Sequence, residues 1–319
     1  ASNEHSTLRF TWNKQGLVEK EEQNGYEVQY QHDIDGYRTH IKTSLGADIQ
    51  LQRDAVNRVT GMNATMASRS WQAQRKYNNH GQEIERLMPG GLTSAWSYDQ
   101  AGRPTEHKIS SRGMVQSWKK NTWNAHDRLA GVFDALSHVN TIFKHDAFNN
   151  LVFAQYADNS IVHRTADKAG YFYETPAKTD RRYDAAGALQ ESKKFLYKYD
   201  EEGNCISKTE KATNKKTQYE WYASGMLKKV IRPDGKTVEF TYDTMGRRIS
   251  KNFNGKITRW VWNGHVPLHE WTYDEKEKPQ AANVMTASSS SPSHFHVSNP
   301  SKPPMIFHTA GVPNWKNFS

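Results

Sequence analysis

One spacing constrains this chain more than any other property: Gly, Asn or Asp returns about every 21 residues, four residues after a position that is usually aromatic. The segments YDQAGR at Tyr98, YDAAGAL at Tyr183, YDEEGN at Tyr199 and YDTMGRR at Tyr242 show it best. With the first residue of each as its address, units begin at Trp12, His32, Arg53, Tyr77, Tyr98, Trp123, His145, Ala166, Tyr183, Tyr199, Trp221 and Tyr242. The slot four residues on reads Gly16, Gly36, Asn57, Gly81, Gly102, Asp127, Asn149, Gly170, Gly187, Gly203, Gly225 and Gly246. Those residue types tolerate positive φ, where other L-residues drive Cβ into a neighbouring carbonyl. The slot therefore reads as a left-handed turn position. The residue after each address is Asp or Asn in every unit except the one with Tyr222, and such a side chain accepts N–H groups of its own turn. The units at Arg53 and Ala166 fit least well.

Half a period later a second set of breakers appears: Asn24-Gly25, Gly46, Pro89-Gly90-Gly91, Gly113, Asp158-Asn159, Pro233-Asp234-Gly235 and Asn254-Gly255. Stretches between turns alternate β-branched or aromatic residues with polar ones, as in Lys236-Thr237-Val238-Glu239-Phe240-Thr241-Tyr242, the pattern of a strand with two unlike faces. Each unit is thus read as a β-hairpin. A helix can be threaded through Asp54 to Gln74, but Gly61 and the Thr and Ser content oppose it.

Twelve hairpins make about 24 strands, which at roughly 4.8 Å per strand is a sheet about 115 Å long. Closed once, it would be too wide for side chains to fill. The expected fold class is all-β: hairpins of about 21 residues forming a long curled or spiralling sheet with one face toward a cavity. Composition agrees, because only 35% of residues are hydrophobic, while 10 Trp, 15 Tyr and 12 Phe supply wide side chains for a half-wet pleated surface. The expected organisation is a lead-in over 1–11, the repeat array over 12–262, its end over 263–277, and a Pro- and Ser-rich linker or strap over 278–319. The strap is expected to be tied down by Ile306, Phe307 and Trp315.

Charge points to no single partner. The net charge is +9, from 43 basic and 34 acidic residues; Glu277 is the last carboxylate, but the basic residues are spread evenly rather than forming one stripe, and no specific nucleic acid is expected. The lone Cys205 excludes intrachain disulfides and Cys-based zinc fingers. No apolar run of membrane-spanning length and no signal peptide is present, and a chain opening at Ala1 is expected to be a segment of something longer.

The segments YDQAGR, YDAAGAL, YDEEGN and YDTMGRR resemble the YD repeats of the Rhs (rearrangement hotspot) family. The stretch over 232–271, RPDGKTVEFTYDTMGRRISKNFNGKITRWVWNGHVPLHEW, is similar to the end of an Rhs repeat array. The resemblance covers about 12–271 and is strongest from 183 onward. It implies a hollow β-cocoon around a C-terminal toxin cargo, delivered out of a bacterial cell by type VI secretion, by insecticidal toxin complexes or from the cell surface. Secretion spike or adaptor proteins are the further partners it implies. The family's core-associated stretch, with its autoprotease-like aspartates, has no counterpart here, so no catalytic residue is carried over and no enzyme activity is expected of this segment.

Other motifs have plainer readings. His265 and His269 are four apart with Pro267 between them, a spacing that suits a metal only on a helix, so neither a metal nor a cofactor is expected. Gly235-Lys236-Thr237 lacks the upstream glycine of a phosphate loop, since Val230 stands there. The turn aspartates Asp99, Asp184, Asp200 and Asp243 have a structural role, and Cys205 lacks an identifiable base. The address aromatics Trp12, Tyr77, Tyr98, Trp123, Tyr183, Tyr199, Trp221 and Tyr242 are expected to be architectural. Aromatics interleaved with cations, at Lys194–Tyr199 and Arg259–Trp262, fit cross-strand pairs, or alternatively a surface that binds cell-surface glycan or envelope polysaccharide. A nuclease or glycosidase is the third and weakest alternative.

Overall fold

A hairpin of this kind is decided within five residues. The computed structural model describes residues 1–276 and the backbone of the strands His294–Asn299 and Lys302–His308. All twelve slot residues lie at positive φ, from 58° at Asp127 to 88° at Gly187. At the unit starting with Tyr242, Gly246 N–H donates to the Asp243 carbonyl (3.0 Å) and Asp243 N–H to the Arg247 carbonyl (2.9 Å). The Asp243 carboxylate accepts the N–H groups of Met245 and Arg247, both at 2.9 Å. The register shifts between Thr241 and Tyr242, so the turn ends in a bulge beside its left-handed residue. The same pair of amide contacts recurs at Asp33, Asp146, Asp184 and Asp200. The units at Arg53 and Ala166 turn the same way, with Asp54 and Asp167 as acceptors.

The half-period breakers turn as well, for example Gly25, Gly46, Gly113, Asn159, Gly235 and Gly255, all at positive φ. Between Asp54 and Gln74 the chain forms no helix but the strands Val59–Met66 and Arg69–Tyr77. They are joined at Ala67, which takes φ 53° without any glycine. The one helical piece among the described residues is the short 3-10 turn Pro89–Gly91.

The strands follow one another in chain order. Fifteen, from Leu8–Trp12 to Ile161–His163, make one antiparallel sheet. The short pair Thr165–Ala166 and Phe172–Tyr173 comes next, and twelve strands from Arg181–Tyr183 onward make the second long sheet. In the segment after 277, Lys302–His308 pairs with Val266–Asp274 and with His294–Asn299. Ile306 and Phe307 fall on the first of these strands, of which only the backbone is described, and Trp315 lies outside the described residues.

Two compact units divide the chain. The first joins Ala1–Gln52 and Asn63–Ser70 with the chain from Thr217 on; the second is Arg53–Met62 with Trp71–Lys216. In the first unit the opening strands β1 (Leu8–Trp12), β2 (Val18–Gln23), β3 (Tyr26–His32), β4 (Arg38–Thr43) and β5 (Ala47–Arg53) turn one face inward. Leu8, Val28, Ile41 and Ile49 are buried on that face, and Val261 and Trp271 are buried on the late strands of the same unit. The second unit holds little closed core: Trp71, Ala73 and Ala154 are its buried apolar residues, and most other strand residues are half-exposed. That is how a chain with 35% hydrophobic residues supplies so many strands.

Candidate functional site

The recurring turn carries the most organised polar chemistry of the chain. Where the slot glycine or asparagine is followed by Arg, the guanidinium folds back onto the turn aspartate. Arg58 Nε lies 2.7 Å from Asp54, Arg103 Nε 2.7 Å from Asp99, and Arg247 Nε 2.6 Å from Asp243. Each arginine also reaches the following turn: Arg58 to the Asn78 carbonyl, Arg103 to Asp127, and Arg247 to the Gly264 carbonyl. Hydrogen bonds from Arg103, first by its side chain and then by its backbone, hold the Asp99 carboxyl below the usual carboxylate range.

A second stitch joins neighbouring units through the address aromatics. The phenols of Tyr77, Tyr98, Tyr183, Tyr199 and Tyr242 donate to the carbonyls of Val59, Glu83, Phe172, Leu189 and Leu227. The indoles of Trp123 and Trp262 donate to Pro104 and Arg248. In all seven cases the acceptor lies two residues beyond the left-handed residue of the preceding unit. The repeat is thus a hydrogen-bonded rung as well as a turn. Trp12 is 57% exposed against Phe10, and Trp221 is half-buried at a strand end, while its neighbour Tyr222 donates to the Phe240 carbonyl. Sequence reasoning missed this rung and read Trp262, which lies outside the twelve addresses, only as part of the Arg259–Trp262 run of aromatics and cations; the interval from slot to aromatic varies from unit to unit and gave no signal.

The first unit contains the deepest charge cluster. Arg247 Nη2 donates to Glu21 at 2.6 Å, joining residues 226 apart, and the Glu21, Arg247 and Asp243 side chains are 4%, 3% and 0% exposed. Burial works against the Arg247 charge, but the hydrogen bonds of Glu21 and then Asp243 prevail and raise its pKa. Burial, and next the Glu21 carboxylate, push the Tyr30 phenol up. Arg38 lies 4.0 Å from the Tyr30 ring centre and donates to Asn263 at 2.7 Å. Gln23 holds the Trp262 backbone from both sides, donating to its carbonyl at 2.6 Å and accepting its N–H at 2.9 Å.

Among the described residues one nucleophile–base contact stands out: the buried Ser94 Oγ lies 2.6 Å from His107 Nε2, the imidazole is stacked on Trp96, and burial, then Lys119 and Arg86, hold its pKa down. His265 sits exposed near the Gly264 turn, whereas His269 is fully buried with Nε2 3.0 Å from Thr43 Oγ1. Among the described residues, no group of three or more His, Cys, Asp or Glu side chains is placed to hold a metal ion. Gly235-Lys236-Thr237 forms a hairpin turn, with Gly235 N–H on the Arg232 carbonyl at 2.9 Å. Burial pushes the Cys205 thiol up, the wrong direction for a thiolate nucleophile. The aromatic–cation pairs are engaged within the sheets: Lys208 Nζ is 3.9 Å from the Phe195 ring centre, and Lys108 and Lys120 flank Trp118 at 4.9 and 4.7 Å.

The structure therefore defines an all-β chain of consecutive hairpins, stitched turn to turn. No protein-family model matches the chain, and no curated protein does. Among solved structures it is similar to a crystal structure of TcdB2-TccC3, with a TM-score of 0.55 and 12% identity over 87% of this chain and 19% of that one. It is similar also to TcdB2-TccC3-Cdc42, at 0.54 and 14% identity over 88% and 18% of the two chains. A Tc holotoxin pore of Photorhabdus luminescens gives 0.51 and 12% over 84% and 17%. At these identities the likeness is one of fold, and this chain spans less than a fifth of the length of each of those chains.

Proposed function

We propose that this chain is a length of Rhs-type shell wall, whose work is to enclose a C-terminal toxic cargo and carry it to a target cell without performing chemistry itself. The observation that carries the proposal is the succession of stitched hairpins in chain order, in two long sheets with a short strand pair between them in sequence, in a fold similar to that of Tc toxin chains. A wall of this kind suits enclosure because each hairpin is fixed by its own turn and by its neighbour, so length is added without a growing core. Enclosure would shield the producing cell from an active toxin and keep a partly unfolded cargo from aggregating. Release from a bacterial cell, with secretion spike or adaptor proteins as partners, belongs to the same proposal.

The test uses the full-length polypeptide. Its C-terminal segment should resist a protease while the wall is native and become cleavable once denaturant opens the wall. Cleavage at equal rates in both states would remove the proposal. A glycan- or envelope-binding surface is the competing reading. It predicts saturable, salt-sensitive retention on a heparin column or a glycan array.

A further inference from the structure

We propose that Glu21 is the bolt of a releasable latch, through which the opening hairpins of the first unit dock onto its late hairpins in one fixed register. The Asp243–Arg247 turn is complete without it. Its counterparts Asp54–Arg58 and Asp99–Arg103 make the same carboxylate–guanidinium contact while remaining partly open to solvent, with arginine side chains 34% and 29% exposed. Of the three arginines Arg247 alone is nearly fully buried, at 3% exposed; its Nη2 is taken by Glu21, 226 residues away in the chain, whereas Arg103 reaches only the next turn at Asp127. Detachment would thus return this turn to the condition in which its counterparts already stand.

The contacts around the bolt are of the same kind. Gln23 replaces a strand neighbour for the Trp262 backbone, Arg38 reaches Asn263, His269 meets Thr43, and Asn3 donates to the Tyr242 carbonyl at 3.1 Å. Each joins the opening part of the chain to its late part. Directional contacts of this sort lose their partners on a shift of one residue, whereas apolar area tolerates sliding. Tyr26 against Trp271, with ring centres 5.3 Å apart, adds an apolar contact beside them. A buried charge cluster contributes register more than strength, and removing one member leaves the others unmatched. The latch is therefore strong only while complete.

Hydrogen exchange on the full chain tests this directly, because the Trp262 N–H is bonded to Gln23 of the opening hairpins and reports docking. The Arg247 N–H, bonded to Asp243 inside its own turn, reports the turn. In Glu21→Gln the Trp262 amide should exchange at least tenfold faster, with Arg247 and the amides of the Tyr98–Arg103 turn unchanged. Unchanged exchange at Trp262 would show that Glu21 does not hold the opening hairpins to the late ones. Faster exchange at all of these amides together would show one cooperative fold, and would equally overturn the latch.

Discussion

Gly246 shows what the repeat asks of one residue. Its φ is 76°, and a Cβ built there would sit 3.7 Å from the Met226 sulfur, so space remains but the backbone conformation resists a branched side chain. Gly246→Val should destabilise the chain by about 2 kcal/mol, read as a lower thermal midpoint. An unchanged midpoint would refute the turn's role. The turn aspartates give the pH dependence. Hydrogen bonds from Asn150 hold Asp146 low, and hydrogen bonding led by the Ala188 N–H holds Asp184 low. A carboxyl with a lowered folded-state pKa stabilises the fold above its ordinary pKa, and that contribution is lost as pH falls through the folded value. Stability to urea should thus drop below about pH 4. Asp184→Asn should flatten part of that drop, because asparagine already serves at Asn13, Asn78 and Asn124 by accepting the same amides.

At the scale of the hairpin, the rung is the feature to break. Tyr98→Phe removes the hydrogen bond to the Glu83 carbonyl and should cost about 1 kcal/mol, seen as faster amide exchange confined to the hairpins on either side. Exchange that spread evenly would mean that the rung does not stitch neighbours. The turns were legible in the sequence because everything that sets them lies within five residues: the acceptor at Asp243, the left-handed Gly246 and the bulge at Tyr242. The turn at Ala67 was not, since alanine carries no signal for positive φ and the reversal there is imposed by the strands it joins. The rung lay between these extremes. Its donor is conspicuous in YD, but its acceptor is a backbone carbonyl that any residue supplies, as Glu83, Pro104 and Leu227 do.

For the molecule as a whole, local rules dictate that hairpins follow one another but not which of them meet again. Glu21 and Arg247 are ordinary members of their units, and nothing within 20 residues of either announces that they pair. The all-β succession of hairpins was therefore readable in advance, and the buried cluster of the first unit was not. A wall of stitched hairpins with half-wet faces is suited to separating an inside from an outside, and that separation is the central claim. Its most direct measurement is intact mass together with two-dimensional class averages of the native full-length polypeptide. The account predicts a hollow particle with density inside it and a mass exceeding that of these 319 residues by at least one cargo domain. A solid particle with no cavity and no enclosed density would contradict it.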